Sequence, residues 1–138
     1  MARRFVLDTN ILSDLMKNPA GRVARKIASL SAEDRDSLAT SIVVAAELRY
    51  GAAQSGSPIL AERVEQLLHA IEVLALEPNA DRHYGILRAP LEQAGTVIGA
   101  NDLLIAAHVL AMDGILVTDN VREFKRVEGL RVENWLRA

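Results

Sequence analysis

The chain has 138 residues, half of them apolar and a quarter charged, and its formal net charge is −2. This length predicts one domain over residues 1–138, and the scarcity of aromatic residues predicts an aliphatic core. The absence of cysteine excludes disulfides and thiolate metal sites and suits a cytoplasmic protein. No apolar run approaches the ~20 residues of a membrane span, so we expect no membrane partner. The net charge excludes a uniformly basic nucleic-acid binder, so a nucleic-acid role needs a local basic patch or a metal ion.

Short apolar runs alternate with helical patterns along the first half of the chain. Apolar residues at helical spacing predict two successive helices after the first run, with Pro19 near the start of the second. Ser41 is placed to cap a third helix. The predicted elements are a strand at 5–7, helices at 11–16 and 19–30, a loop at 31–37, a strand at 38–40 and a helix at 42–54.

The second half continues this alternation. Pro90 lies inside a helical pattern and predicts a kink or break near residues 87–89, because proline removes a backbone hydrogen bond. A helix that is apolar on nearly every face predicts a central buried element. The predicted elements are helices at 60–71, 79–94 and 101–112, strands at 73–76, 115–117 and 130–132, and a helical turn around Phe124.

This alternation predicts an α/β fold with a mainly parallel sheet of four to five strands, flanked by helices. Asp8 and Asp119 directly follow predicted strands, Glu47 lies two turns into a helix, and Asp102 opens the apolar helix. Parallel strands bring their carboxyl ends to one edge, so we expect these four acids to share a cleft there.

Each acid also has an ordinary structural interpretation. Asp8 could cap a helix, and Glu47 could be an exposed helical charge. Asp102 could complement a helix dipole, and Asp119 could be a turn residue. None of these interpretations explains why all four acids would gather at one edge of the sheet.

Clustered carboxylates repel each other, by about 4 kcal/mol for two charges ~4 Å apart near a protein surface. Protonation, a basic side chain or a divalent cation must offset this cost. Oxygen ligands without cysteine or paired histidines favour Mg²⁺ or Mn²⁺, which can activate a water and stabilise charge on a phosphate. His69, His83 and His108 have no metal-ligand spacing, and the chain has no glycine-rich phosphate loop or nucleophile elbow.

Four motifs occur in a fixed order: LDTN at 7–10, AELRYG at 46–51, IGANDLLIAAH at 98–108, and VTDN at 117–120 with Glu123-Phe124. Together with GLRVENW at 129–135, they resemble the PIN-domain ribonucleases, and most closely the VapC toxins of type II toxin–antitoxin systems. The resemblance covers essentially the whole chain and identifies residues 1–138 as a PIN domain. The position of Pro90 departs from the family pattern.

The resemblance implies an endoribonuclease that depends on Mg²⁺ or Mn²⁺, uses water as the nucleophile, and leaves 5′-phosphate and 3′-hydroxyl ends. The expected substrate is tRNA or another structured or single-stranded RNA. By motif, Asp8, Glu47 and Asp102 are the core metal-binding and catalytic acids and Asp119 is the fourth. Asn10 and Thr118 match supporting polar residues.

The family also implies a homodimer and a VapB-like antitoxin whose basic side chain covers the acids. Operator DNA would be bound through the antitoxin. The alternatives are a non-catalytic PIN-like module that binds a partner, and a metal-dependent DNA nuclease or phosphatase. Arg49 and Arg88 could contact RNA phosphates, although a solvated helix surface is the preferred interpretation for both.

Overall fold

Five short parallel strands form the centre of the fold in the computed structural model, which describes residues 3–137. The predicted domain of residues 1–138 thus includes three terminal residues outside the described range. The strand order is β3-β2-β1-β4-β5, and every neighbouring pair is parallel. The strands are β1 Phe5–Leu7, β2 Leu38–Ser41, β3 Glu72–Leu74, β4 Ile115–Val117 and β5 Arg131–Glu133.

Eight helices connect and cover these strands within the described residues. They confirm the predicted α/β class with a parallel sheet flanked by helices. The helices are α1 Thr9–Lys17, α2 Arg22–Ser29, α3 Ala32–Asp36, α4 Ile42–Ser55, α5 Pro58–Ala70, α6 Ala80–Gln93, α7 Ala100–Ala111 and α8 Val121–Phe124.

The aliphatic core lies between the sheet and its helices. The apolar helix α7 is the buried central element that its sequence predicts, since Ile105, Ala106 and Val109 are fully buried. Val6 on β1 and Leu116 on β4 are also fully buried. This core holds the carboxyl ends of β1 and β4 side by side, and the Asp8 amide donates to the Val117 carbonyl at 2.9 Å.

The segment predicted as a loop at 31–37 contains the short helix α3, so that prediction is wrong. The Ser31 hydroxyl accepts a hydrogen bond from the Asp34 amide at 3.1 Å and caps this helix. Glu33 and Asp34 stand in its first turn, where negative charge favours a helix. These local capping features outweigh the polar composition on which the loop was predicted.

Helix α6 runs through Pro90 without a break, so of the predicted kink or break near residues 87–89 the break does not occur. Proline removes the amide that would bond to the carbonyl of Ile86. The Ile86 residue is 69% exposed, and Pro90 is exposed as well. Water can therefore hydrate the freed carbonyl, while the opposite side of α6 packs against α7.

Across residues 3–137, no helix combines the length and apolarity that crossing a membrane requires.

Candidate active site

Asp8 lies at the carboxyl end of β1 and is 4% exposed. Its Oδ1 accepts a hydrogen bond from the Thr9 amide at 2.8 Å and caps α1. Its Oδ2 accepts one from the Thr118 hydroxyl at 2.8 Å, while the Asn10 amide nitrogen lies 3.5 Å away. Burial raises the pKa of Asp8, and the nearby charges of Glu47 and Glu123 add to this effect against the hydrogen bonds.

Asn10 and Thr118 surround the Asp8 carboxylate and connect β1 to β4. The Asn10 side-chain nitrogen donates to Thr118 Oγ1 at 3.2 Å, and the Asn120 amide donates to the same oxygen at 3.0 Å. Asn10 Oδ1 accepts from the Asp119 amide at 2.9 Å. The structure therefore places both of the predicted supporting residues against Asp8.

Glu47 reaches the cleft from the second turn of α4. The side chain of Ser41 caps this helix through the Val43 amide, as the sequence predicts. The Thr9 hydroxyl donates to Glu47 Oε1 at 2.8 Å and so joins the Glu47 side chain to the residue next to Asp8. The sequence provides no separate signal for this role of Thr9.

Asp102 occupies the first turn of α7 and faces Glu123 on α8. Burial raises the pKa of Asp102 to about 7, assisted by a hydrogen bond to Glu123 and by the charges of Glu123, Asp8 and Glu47. The cleft therefore carries crowded like charges.

Glu123 is a fourth carboxylate of the cleft, and the sequence names it only as part of a motif. One oxygen accepts the Gly99 amide at 3.0 Å, and the other accepts from the Asn120 side chain. Burial opposes its ionisation, but hydrogen bonds from Gly99, Asp102 and Asn120 outweigh burial and hold its pKa below the usual range. The pKa of Asp102 is raised and that of Glu123 is lowered, so Asp102 is the carboxyl group of this pair that more readily keeps a proton.

The structure does not bring the Asp119 carboxylate into this group of acids. Its Oδ1 accepts from the Asn134 side chain at 3.0 Å and from Arg137 Nε at 2.6 Å. The Arg137 hydrogen bond is the main cause of a lowered pKa for Asp119. Only its backbone amide reaches the site, through Asn10. Glu123 holds the fourth carboxylate position that the sequence assigns to Asp119.

We call the side chains of Asp8, Glu47, Asp102 and Glu123 the acid cleft. Within the described residues none of them lies within 4 Å of a lysine or arginine nitrogen. Four carboxyl groups without a direct ion pair offer only oxygen donors, which suits a hard divalent cation. Among residues 3–137, no three of these side chains already stand in a ligand arrangement.

Other candidate residues have structural partners. Arg49 is paired with Glu65, and Arg88 Nε lies 2.5 Å from Glu92 Oε1, all on partly exposed helix surfaces. His108 is buried, and its Nδ1 lies 2.8 Å from the Ser41 hydroxyl. It is therefore a packed helix residue.

Comparison with known proteins assigns this architecture. The family description "PIN domain" matches residues 5–130. Ribonuclease VapC2 of Rickettsia felis is 36% identical over 132 residues, covering 95% of this chain and 97% of the relative. The tRNA(fMet)-specific endonuclease VapC of Shigella flexneri is 37% identical over 136 residues, covering 96% and 98%. A solved structure of VapBC2 from Rickettsia felis, bound to a DNA fragment from its promoter, matches with a TM-score of 0.80 and 33% identity. That match covers 95% of this chain and 98% of that chain.

A parallel sheet with an acid cleft at its carboxyl edge, together with this match, defines the class of the protein as a PIN domain. Within that class, the chain belongs to the VapC family of endoribonucleases, the toxins of toxin–antitoxin systems.

Proposed function

We propose that this chain hydrolyses RNA phosphodiester bonds at the acid cleft, with Mg²⁺ or Mn²⁺ as the cofactor. Asp8 and Asp102 would ligate the cation directly, and Glu47 would be a further ligand or hold a water. When bound, the cation would lower the pKa of a water and stabilise charge on the phosphate. The observation that supports this most strongly is four carboxyl groups gathered without a cationic partner in the described chain.

The other residues of the site hold these acids in position. Thr118 and Asn10 fix Asp8 Oδ2, and Thr9 orients Glu47. We propose that Glu123 takes the fourth acidic role, as a ligand or as a proton acceptor beside Asp102. Asp119 then acts as a positioning residue, because its amide sets the side chain of Asn10.

The test is cleavage of end-labelled RNA by the purified protein, with Mg²⁺ and with chelator. Asp8→Asn should abolish cleavage while keeping the cap of α1, because asparagine caps helices as well as aspartate does. Asp113→Asn is the matched control, since Asp113 is exposed and its positive φ of 52° suits asparagine. Equal cleavage by Asp8→Asn and the wild type would refute the assignment.

Two further arms of this experiment separate the remaining activities. A DNA strand of the same sequence should resist cleavage, whereas its cleavage would favour the DNA nuclease alternative. Sequencing the cleaved ends should show 5′-phosphates and 3′-hydroxyls and would identify the RNA. Intact RNA with every cation tested would favour the non-catalytic binding module.

We also propose a homodimer that is neutralised in the cytoplasm by a VapB-like antitoxin, through which the complex would bind operator DNA. Large apolar side chains support protein contacts, since Tyr50, Ile59 and Ile86 are each about two-thirds exposed or more. Light scattering should give a dimer mass for the isolated chain. If a small reading frame adjoins the gene, its co-expression should restore growth that the toxin arrests, and an unchanged arrest would exclude that frame as the antitoxin.

A further inference from the structure

A basic groove of about 660 Å³ lies between α2 and the segment that follows β5. Four cationic side chains line it, three from one helix and one from the end of the described chain. The residues that define this basic groove are Arg22, Arg25, Lys26 and Arg137, with Trp135 and the acid Glu133.

Three exposed cations of α2 gather positive charge on one side of the basic groove. Arg25 and Lys26 lie three and four residues after Arg22, so each is a neighbour of Arg22 on the helix surface and repels it. Arg22 begins α2, where the helix dipole disfavours positive charge, and no acid accompanies it in the first turn, whereas Lys26 lies in the last turn. All three are exposed, and none forms an ion pair within residues 3–137. An external anion would offset this unfavourable arrangement.

On the other walls of the basic groove, Arg137 is paired with Asp119 and Glu133 adds a carboxylate, so the cations of α2 are the ones available to an anion. The Glu133 carboxylate accepts the indole N–H of Trp135 at 2.9 Å, which orients it toward the ring. The Lys26 ammonium lies 5.8 Å from the centre of the same ring. Trp135 is only 5% exposed and packs on Phe5, so it forms a rigid floor and offers no free face to a nucleobase. The basic groove is therefore suited to binding a negatively charged backbone and not to recognising particular bases.

A short chain of contacts links the basic groove to the acid cleft. Arg137 Nε lies 2.6 Å from Asp119 Oδ1, and the Asp119 amide lies 2.9 Å from Asn10 Oδ1. Asn10 in turn contacts Asp8 Oδ2 at 3.5 Å. An RNA strand that enters the acid cleft along the carboxyl edge of the sheet can thus continue over the cations of the basic groove.

We propose that the basic groove binds the phosphodiester backbone of the RNA next to the bond that is cleaved. This inference rests on the proposed ribonuclease function and adds a second contact surface to it. The acid cleft repels a polyanion, whereas the basic groove attracts one, so the groove supplies affinity and the cleft supplies the reaction site. Contacts to phosphates by flexible cations carry no sequence information, so binding here is independent of sequence.

The experiment compares two triple variants with the same change of charge. Arg22→Gln, Arg25→Gln and Lys26→Gln remove the helix part of the basic groove. Arg63→Gln, Arg82→Gln and Arg131→Gln form the control, because these residues are exposed and lie outside the groove. Each set is placed on the Asp8→Asn background. Fluorescence anisotropy with a labelled single-stranded RNA in chelator then measures binding without cleavage.

The groove variant should bind RNA about 10- to 100-fold more weakly at ~0.1 M salt, as expected for three lost phosphate contacts. Its plot of log affinity against log salt should be shallower by about 2, at ~0.7 per contact for single strands. The control variant should match the Asp8→Asn protein in RNA affinity and in salt dependence. On the active background, the groove variant should lower kcat/KM mainly through a higher KM.

Equal RNA affinity of the groove variant and the control would overturn the proposal. Loss of affinity for polyglutamate with unchanged affinity for RNA would also overturn it, and would assign the groove to an acidic protein segment. Failure of the active wild type to cleave any RNA would instead refute the ribonuclease function. The anisotropy measurement would still decide whether the groove binds an RNA backbone.

Discussion

Asp102→Asn should stabilise the cation-free protein while removing its activity. Asp102 has a folded-state pKa of about 7, against 3.8 for an unperturbed side chain. The folded state therefore holds this proton more tightly than the unfolded state does. The contribution to stability is present below pH 4 and is lost as pH rises through 7. Ionised Asp102 accordingly destabilises the fold at pH 8.

The size of this effect follows from the same pair of groups. Three pKa units at ~1.4 kcal/mol each set an upper limit of about 4 kcal/mol. Two effects reduce this value, since the lowered pKa of Glu123 offsets part of it and an acid in the first turn of α7 favours the helix. We expect a net gain of about 2 kcal/mol at pH 8, or about 6 °C in Tm for a chain of this size. An asparagine amide can still donate to Glu123.

The assay is thermal unfolding of the wild type, Asp102→Asn and the control Asp113→Asn, in chelator and in Mg²⁺, at pH 4 and 8. The increase in Tm caused by Asp102→Asn should be present at pH 8 and nearly absent at pH 4. Added Mg²⁺ should raise the Tm of the wild type more than that of the variant. RNA cleavage should fall at least on the order of 100-fold, as for other single electrostatic contributors. A lower Tm of Asp102→Asn at pH 8 in chelator would refute the repulsion on which this reasoning depends.

Three further substitutions test the remaining assignments. Glu123→Gln keeps an acceptor for the Gly99 amide but removes a carboxylate, so cleavage should fall roughly 10- to 100-fold, whereas the exposed control Glu128→Gln should match the wild type. Asp119→Asn should lower kcat less than Asp102→Asn does. It should also leave the Mg²⁺ concentration for half-maximal cleavage unchanged. A large rise in that concentration would show that Asp119 is a ligand. Burial lowers the pKa of His108, so the unfolded state takes up a proton first and stability falls as pH drops through about 6.5. In unfolding measured from pH 8 to 5, His108→Asn should no longer show this loss of stability as pH falls, whereas the exposed control His69→Asn should still show it. Identical pH profiles for His108→Asn and the wild type would contradict this prediction.

Local sequence patterns were sufficient for the order and type of most elements. Period and length of the apolar runs separate the strands from the helices, and the continuous apolar surface of α7 predicts its burial. Two element predictions were wrong, namely the loop at 31–37 and the break of the helix at Pro90, and short-range effects explain both. Ser31 and its following acids outweigh a polar composition, and an exposed position tolerates Pro90 within a helix. Both depend on which side of the backbone meets solvent.

The positions of Asp8, Glu47 and Asp102 also follow from the sequence, because the ends of parallel strands meet at one edge of a sheet. The sequence does not, however, determine whether Asp119 or Glu123 lies in the acid cleft. Both follow β4 within a few residues, and local propensity does not distinguish their directions. Asn134 and Arg137 draw the Asp119 carboxylate away, while the Gly99 amide holds Glu123 in the cleft. Those partners are 15, 18 and 24 residues distant in sequence, so only the tertiary structure determines which carboxylate completes the site.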